Sequence, residues 1–372
     1  MRTIERELQA TILNKLEPDK TIIISGPQGV GKTHFLKDLS HHYECICLYL
    51  NVEEKQIKKL LLERNPQKYR ELINNKLILL LDNIHNISNT GEIIQSIKDA
   101  IPNLKIITTS TFKPSEEALQ GLRSDYTLYP LTHRECQQAN YGRSEMDHLE
   151  QRLIYGNYPK LFQLATTIEK QLYLNELFDI YLIRDILTTE NKNKMKKIIH
   201  LLRLISYLIG QEIFYRELEK KLSMNRYTIE KHLHLLEELS IIHHLKGFKK
   251  NLKKEVSVNA SWYFMDNGLR NAIVGNFNPL ASRDDIEKLW KNYLIAERIK
   301  KQEYGTREVK NYFWRTYDQQ EIDMVEEMDG QLSGYIFSWN NDKHKIPIAW
   351  RKAYPHAEVK FITPYNYLEW IH

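Results

Sequence analysis

Gly26-Pro27-Gln28-Gly29-Val30-Gly31-Lys32-Thr33 is the stretch on which the fold turns. It fits the pattern G-x-x-x-x-G-K-[ST], and each fixed position has a physical reason. Glycines let the backbone curl so that successive N–H groups point inward at a phosphate chain. A helix starting near Lys32 adds the positive end of its dipole. Lys32 reaches the outer phosphates, and the Thr33 hydroxyl is a ligand for Mg²⁺. The loop, with His34 just beyond it, reads as a nucleotide site with ATP and Mg²⁺ as cofactors. Upstream, Thr21–Ser25 is the apolar β-branched strand that such a loop needs.

Working outward, strands alternate with helices. Residues 1–16 read as a short amphipathic helix. Cys45–Asn51 reads as a strand, with Cys45 and Cys47 on one side of it as buried thiols. Glu53–Asn74 is helical with a break near Pro66, and Leu77–Leu81 is a fully apolar central strand. Gly91–Ala100 is helical, Lys105–Ser110 is a strand, and Tyr126–Tyr129 is a short last one. This alternation predicts an open parallel sheet covered on both faces. The magnesium acid belongs at the end of a neighbouring strand, where Leu77-Ile78-Leu79-Leu80-Leu81-Asp82 supplies Asp82. Thr109 or Ser110 is placed to sense the outermost phosphate, although strand chemistry alone also explains them. Arg123 reads either as a phosphate-contacting arginine, in cis or from a neighbouring subunit, or as an exposed loop residue.

The chain has 372 residues, which predicts two or three domains, and its composition is that of a globular protein. No apolar run approaches the length of a bilayer span, and Met1–Arg6 leads into no signal-peptide core. We therefore expect a cytoplasmic protein without a membrane partner. Three cysteines are too few for a disulfide framework. The whole-chain charge of +5 hides an uneven distribution, because residues 191–255 hold 15 Lys/Arg against 7 Asp/Glu.

That basic segment has a pattern. Lys196–Leu239 breaks into three helical pieces, near Gly210 and at Met224–Asn225, and two strand-like runs follow, Ile241–Phe248 and Glu255–Phe264. This suits a winged helix. Its third helix would expose Arg226, Tyr227, Lys231, His232 and His234. Its wing would carry Lys246, Lys249, Lys250, Lys253 and Lys254. Two uses stay open: salt-sensitive binding of double-stranded DNA, or contacts with an unknown protein partner.

From end to end the chain resembles the prokaryotic AAA-type ATPases that carry a C-terminal domain of uncharacterised function. The resemblance runs through Ile23–Thr33, Leu77–Ile87, Ile106–Phe112 and Leu128–Glu135. It continues through Tyr155-Gly156-Asn157-Tyr158-Pro159, Tyr181–Ile186 and Trp262–Arg270. It implies a P-loop core over 1–135, a helical lid over 136–190 and a winged helix over 191–278. A restriction-endonuclease-like α/β domain over 279–372 would complete the chain. Hydrolysing relatives place a Glu after the magnesium acid as general base, and here that position is Asn83. An amide takes no proton, so the resemblance implies ATP binding with slow or partner-stimulated hydrolysis, or a non-hydrolysing adaptor. His85 stands two residues on as a substitute base or a plain loop histidine. In the last domain Asp323 keeps its expected place. Ile336 and Ser338 replace the Glu and Lys of the next strand, and Lys291 replaces a helix Glu, which implies an inactive nuclease scaffold. AAA-type cores often form rings, so oligomerisation is an open expectation.

Overall fold

The computed structural model describes residues 4–112, 119, 121–139, 145–183, 186, 192–250, 260–305, 307–340 and 345–372. They fall into two compact units, 5–129 and 130–372.

The first unit is built on five parallel strands. These are β1 (Thr21–Ser25), β2 (Cys47–Asn51), β3 (Ile78–Asp82), β4 (Lys105–Thr109) and β5 (Arg123–Thr127), in the spatial order β2-β3-β4-β1-β5. The strands β1 and β3 are buried at every position, as their unbroken apolar runs require. The helix α1 (Glu7–Asn14) buries Leu8 and Ile12, and α2 (Lys32–His42) follows the glycine loop. The expected break at Pro66 separates α3 (Lys55–Glu63) from α4 (Pro66–Ile73). Proline occupies the first turn of α4, and Asn65 caps it by accepting from the Gln67 and Lys68 N–H groups. The helix α5 (Thr90–Ala100) packs Ile93, Ile94 and Ile97 onto Leu79, Leu81 and Ile106.

Two sequence expectations need correction here. Cys45 lies exposed in a turn ahead of β2, so only Cys47 is a buried strand thiol. The last strand begins at Arg123 rather than at Tyr126, because its pairing with β1 starts at Thr21↔Arg123.

In the second unit the helices α6 (His133–Ala139), α7 (Glu145–Tyr155) and α8 (Thr167–Glu176) come first. They are followed by α9 (Lys192–Tyr207), α10 (Tyr215–Leu222) and α11 (Arg226–Glu238). A hairpin of β6 (Ile242–Gly247) and β7 (Ala260–Phe264) comes next, then α12 (Asn267–Val274) and the long α13 (Ile286–Tyr304). The chain ends on β8 (Lys310–Arg315), β9 (Glu321–Met328), β10 (Gln331–Phe337), α14 (Ile348–Ala353), β11 (Glu358–Ile362) and α15 (Tyr367–Ile371). Its strands form one mixed sheet, β11-β10-β9-β8-β6-β7. The hairpin is joined to the rest by parallel pairing of Lys246 and Gly247 with Tyr312 and Phe313. On α13, Asn292 accepts from the Phe264 N–H (2.7 Å) and donates to the Phe264 carbonyl (2.9 Å), tying the helix to β7.

Candidate nucleotide site

The strand β1 delivers the chain to Gly26, where a side chain has no room. A Cβ there would lie 2.2 Å from the Leu128 carbonyl oxygen. Gly29 (φ 86°) and Gly31 (φ 97°) adopt left-handed conformations that let the loop curl back. Gly31 is also the N-cap of α2 and supplies no capping side chain, so the helix start faces the loop undecorated. The Lys32 ammonium is buried and donates to the carbonyls of Gly26 (2.6 Å) and Pro27 (3.0 Å). Around it Val30 is fully buried, Thr33 half-buried and His34 exposed.

At the same end of the sheet stands Asp82, fully buried at the tip of β3. Its Oδ2 accepts from the Tyr49 hydroxyl (2.9 Å) and its Oδ1 from the Thr109 hydroxyl. Burial, and then the Asp82 charge, push the Tyr49 phenol well above its ordinary range, so Tyr49 remains a donor. The Thr109 hydroxyl also accepts from the Asn83 N–H (2.9 Å) and is thereby committed to the acid. Ser110, one residue on, has a fully buried hydroxyl with no hydrogen-bond partner among the described residues. Its N–H donates to Ile24 of β1 (2.9 Å), which sets it beside the loop. Of Thr109 and Ser110, only Thr109 has its hydroxyl engaged among the described residues.

Asn83 has φ 60°, a left-handed position that asparagine tolerates better than a longer side chain does. The His85 ring meets Thr111 through Nε2 (3.3 Å) and tilts against Phe112, with centroids 5.9 Å apart. Arg123 is corrected in one respect. It pairs in register with Thr21, at the amino end of β1, whereas the loop leaves the carboxyl end. About four residues of strand, roughly 13 Å, separate them, which excludes the contact in cis. Its Nε lies 3.1 Å from Asp125 instead.

Two contributors escaped the sequence reading. Tyr49 is one, reaching Asp82 from the adjacent strand. Arg6 is the other, donating to the carbonyls of Val30 and Tyr129, each at 2.7 Å. Its partners lie 24 and 123 residues away, so no local pattern marks it.

In the second unit the anticipated DNA-facing residues scatter. Arg226 is bound to Glu230 (2.8 Å) and stacks over Tyr215. His232 is buried, not exposed, because it shares the inner face of α11 with Ile229, Leu233 and Leu236. Tyr227, Lys231 and His234 do face solvent, as do Lys246, Lys249 and Lys250. Lys250 lies 3.9 Å from Glu327. Lys253 and Lys254 lie outside the described residues, as do Arg184 and Asp185 of the Tyr181–Ile186 stretch. Farther along, the Asp323 carboxylate holds the Lys291 ammonium (2.6 Å) and accepts from the Phe337 N–H (2.8 Å). Burial works against a charged Lys291, but Asp323, Glu321 and Glu287 outweigh it and raise its pKa. Ile336 packs into the apolar layer with Trp314, Ile322 and Trp350, and the Ser338 hydroxyl donates to the Asn340 carbonyl. Among the described residues no group of three or more His, Cys, Asp or Glu is arranged to hold a metal ion. No helix among them is long and apolar enough to cross a membrane.

Residues 18–137 match the family model described as an AAA domain. Residues 146–280 match a domain of unknown function (DUF8612), and residues 287–363 match another (DUF4143). No curated protein matches the chain. Among solved structures, a DNA replication initiation factor is 14% identical with a TM-score of 0.30, over 63% of this chain and 90% of that one. AMPPCP-bound DnaA from Aquifex aeolicus is 17% identical with a TM-score of 0.33, over 62% and 86%. Bacteroides sp Pif1 in complex with ADP-AlF4 is 14% identical with a TM-score of 0.25, over 47% and 50%. Likenesses of this size say nothing about function. With their glycine loop, buried lysine and strand-end acid in place, residues 18–137 fit the AAA domain whose model they match, and two matches to domains of unknown function follow.

Proposed function

We propose that the first unit binds ATP with Mg²⁺ and turns it over slowly, or only when a partner supplies what the site lacks. The observation that carries this reading is the pairing of the Gly26–Thr33 loop with Asp82 at one end of a parallel sheet. Asp82 suits a hydrated divalent cation. A carboxylate has about four acceptor positions, and the hydroxyls of Tyr49 and Thr109 donate to this one. Thr33 and Asp82 would hold the metal, which when bound draws charge from the outer phosphates. Lys32 would exchange its loop carbonyls for phosphate oxygens. Ser110 would donate its hydroxyl to the terminal phosphate. Asn83 can orient a water but cannot take its proton, which supports slow hydrolysis.

Turnover of ATP by the full chain, measured against Lys32→Ala, tests this. Turnover above that blank supports an ATPase. Turnover equal to it, with ATP still raising the wild-type melting temperature, makes the chain a nucleotide-gated adaptor. No ATP effect of either kind sinks both readings.

For the last domain we propose a binding or assembly role without nuclease chemistry. The Lys291 ammonium already neutralises Asp323, the carboxylate on which a metal would depend. Mg²⁺-dependent nicking of plasmid that disappears in Asp323→Ala would overturn this. A second reading, DNA binding, is favoured by the solvent-facing run of Tyr227, Lys231 and His234 on one side of α11. It predicts salt-sensitive binding to a generic duplex that weakens in Lys231→Glu and Lys246→Glu. Unchanged binding in those variants removes it.

A further inference from the structure

The buried guanidinium of Arg6 has no part in the chemistry above, yet it sits against the phosphate loop. In such a loop the N–H groups turn inward, which turns carbonyls outward into the protein. A buried outward carbonyl needs a donor. Val30 is fully buried, and its carbonyl receives Arg6 Nη1 at 2.7 Å. The other arm of the same fork, Nη2, donates to the Tyr129 carbonyl at 2.7 Å. Tyr129 follows Leu128, whose own carbonyl presses on Gly26 and whose N–H donates to Ser25 (2.7 Å). The loop is thus pinned at its entry by a close backbone approach and at its crest by Arg6. Arg6 is carried by the N-cap of α1, which is docked through Leu8 and Ile12.

We propose that Arg6 is a positioning residue for nucleotide binding, fixing the crest of the Gly26–Thr33 loop to residue 129 so that the inward N–H groups are set before phosphate arrives. The proposal rests on the reading of that loop as a nucleotide site. The fork matters more than the charge. A guanidinium spans two carbonyls with parallel donors, whereas an ammonium is a point charge on a flexible stem.

The test measures binding of a fluorescent ATP analogue with Mg²⁺ to the full chain, together with hydrogen exchange of the loop amides without nucleotide. Wild type is compared with Lys32→Ala, Arg6→Ala, Arg6→Lys and Ile12→Ala. Arg6→Ala is expected to weaken binding about tenfold, the equivalent of roughly one charge-assisted hydrogen bond, and to speed exchange at 29–33. Arg6→Lys should restore little of either. Ile12→Ala, which loosens α1 without touching the loop, should lower the melting temperature and leave affinity unchanged. Should Arg6→Ala not fold, Arg6→Gln is read in the same way.

Affinity of Arg6→Ala within twofold of wild type overturns the proposal. So does full rescue by Arg6→Lys, which makes charge sufficient, or an equal affinity loss in Ile12→Ala, which makes helix docking the cause. Wild type that binds no better than Lys32→Ala removes the nucleotide reading itself, and the proposal with it.

Discussion

Asp82 and Asp323 are both strand aspartates, one fully and one largely buried, and they have opposite company. Asp82 is met by two neutral hydroxyls, from Tyr49 and Thr109. Asp323 is met by an ammonium, from Lys291, and by a backbone N–H. A carboxylate held by hydroxyls has no countercharge of its own. One held by an internal ammonium has its countercharge built in. On the functions proposed above, the difference teaches that an acid in the expected place need not be a metal site. What decides is whether the fold has already neutralised it.

The largest effect expected from breaking this contrast is at Lys291. Lys291→Met leaves a largely buried Asp323 without its ion-pair partner and should cost about 3 kcal/mol in urea unfolding, near the low end for buried pairs because Lys291 is 23% exposed. The double variant with Asp323→Leu should recover most of that. A cost near zero for Lys291→Met alone would mean that the pair is not the anchor it is taken for. Next comes ligand response. ATP with Mg²⁺ at a hundred times Kd should stabilise unit 5–129 by about 2.7 kcal/mol, an effect abolished in Lys32→Ala. Mg²⁺ alone should leave the Asp323 region unmoved. Stabilisation by Mg²⁺ that vanishes in Asp323→Asn would erase the contrast.

A somewhat smaller effect belongs to pH. Burial, and then the Arg152 charge, lower the His133 pKa to about 2 from an ordinary 6.5. The neutral ring's Nδ1 accepts from Arg152 (3.0 Å), with the Tyr293 hydroxyl 2.8 Å away. Because the unfolded chain takes up this proton first, the stability contribution is complete above pH 6.5 and is lost as pH falls toward 2. From pH 7 to pH 5 the unit 130–372 should lose about 2 kcal/mol through this residue. A melting profile flat over that range, or unchanged in slope by His133→Gln, would contradict it. The smallest effect is at Asn83. Asn83→Glu forces a longer side chain into a left-handed position and should cost about 1 kcal/mol, while raising ATP turnover. Turnover no higher than wild type would mean that something other than the missing base limits the site.

The glycine loop and the apolar strands were legible because their signals are local. Glycine spacing, an unbroken Ile or Leu run and a proline at a helix start each act within a few residues. What escaped depends on register between distant segments. The start of β5 at Arg123 is set by its pairing with Thr21, about a hundred residues earlier, and that pairing carries Arg123 to the wrong end of the sheet. Burial of His232 follows from which face of α11 turns inward, and a helix with histidines on both sides leaves that undetermined. Arg6 and Tyr49 acquire meaning only once the sheet has assembled around them. Lys291, by contrast, which the resemblance implies as a lost ligand, makes an ion pair with Asp323 that the sequence alone does not mark.

The shared sheet has a consequence for how this chain can be taken apart. Strand β6 meets β8 through Lys246 and Gly247, and Asn292 clasps both backbone groups of Phe264. The segment before residue 279 and the segment after it are therefore not interchangeable cassettes. A hybrid that imports either half from a distant relative inherits a seam of backbone donors and acceptors tuned to the other. Any recombination that preserves folding will have to carry residues 242–264 together with 286–315 as one inherited block.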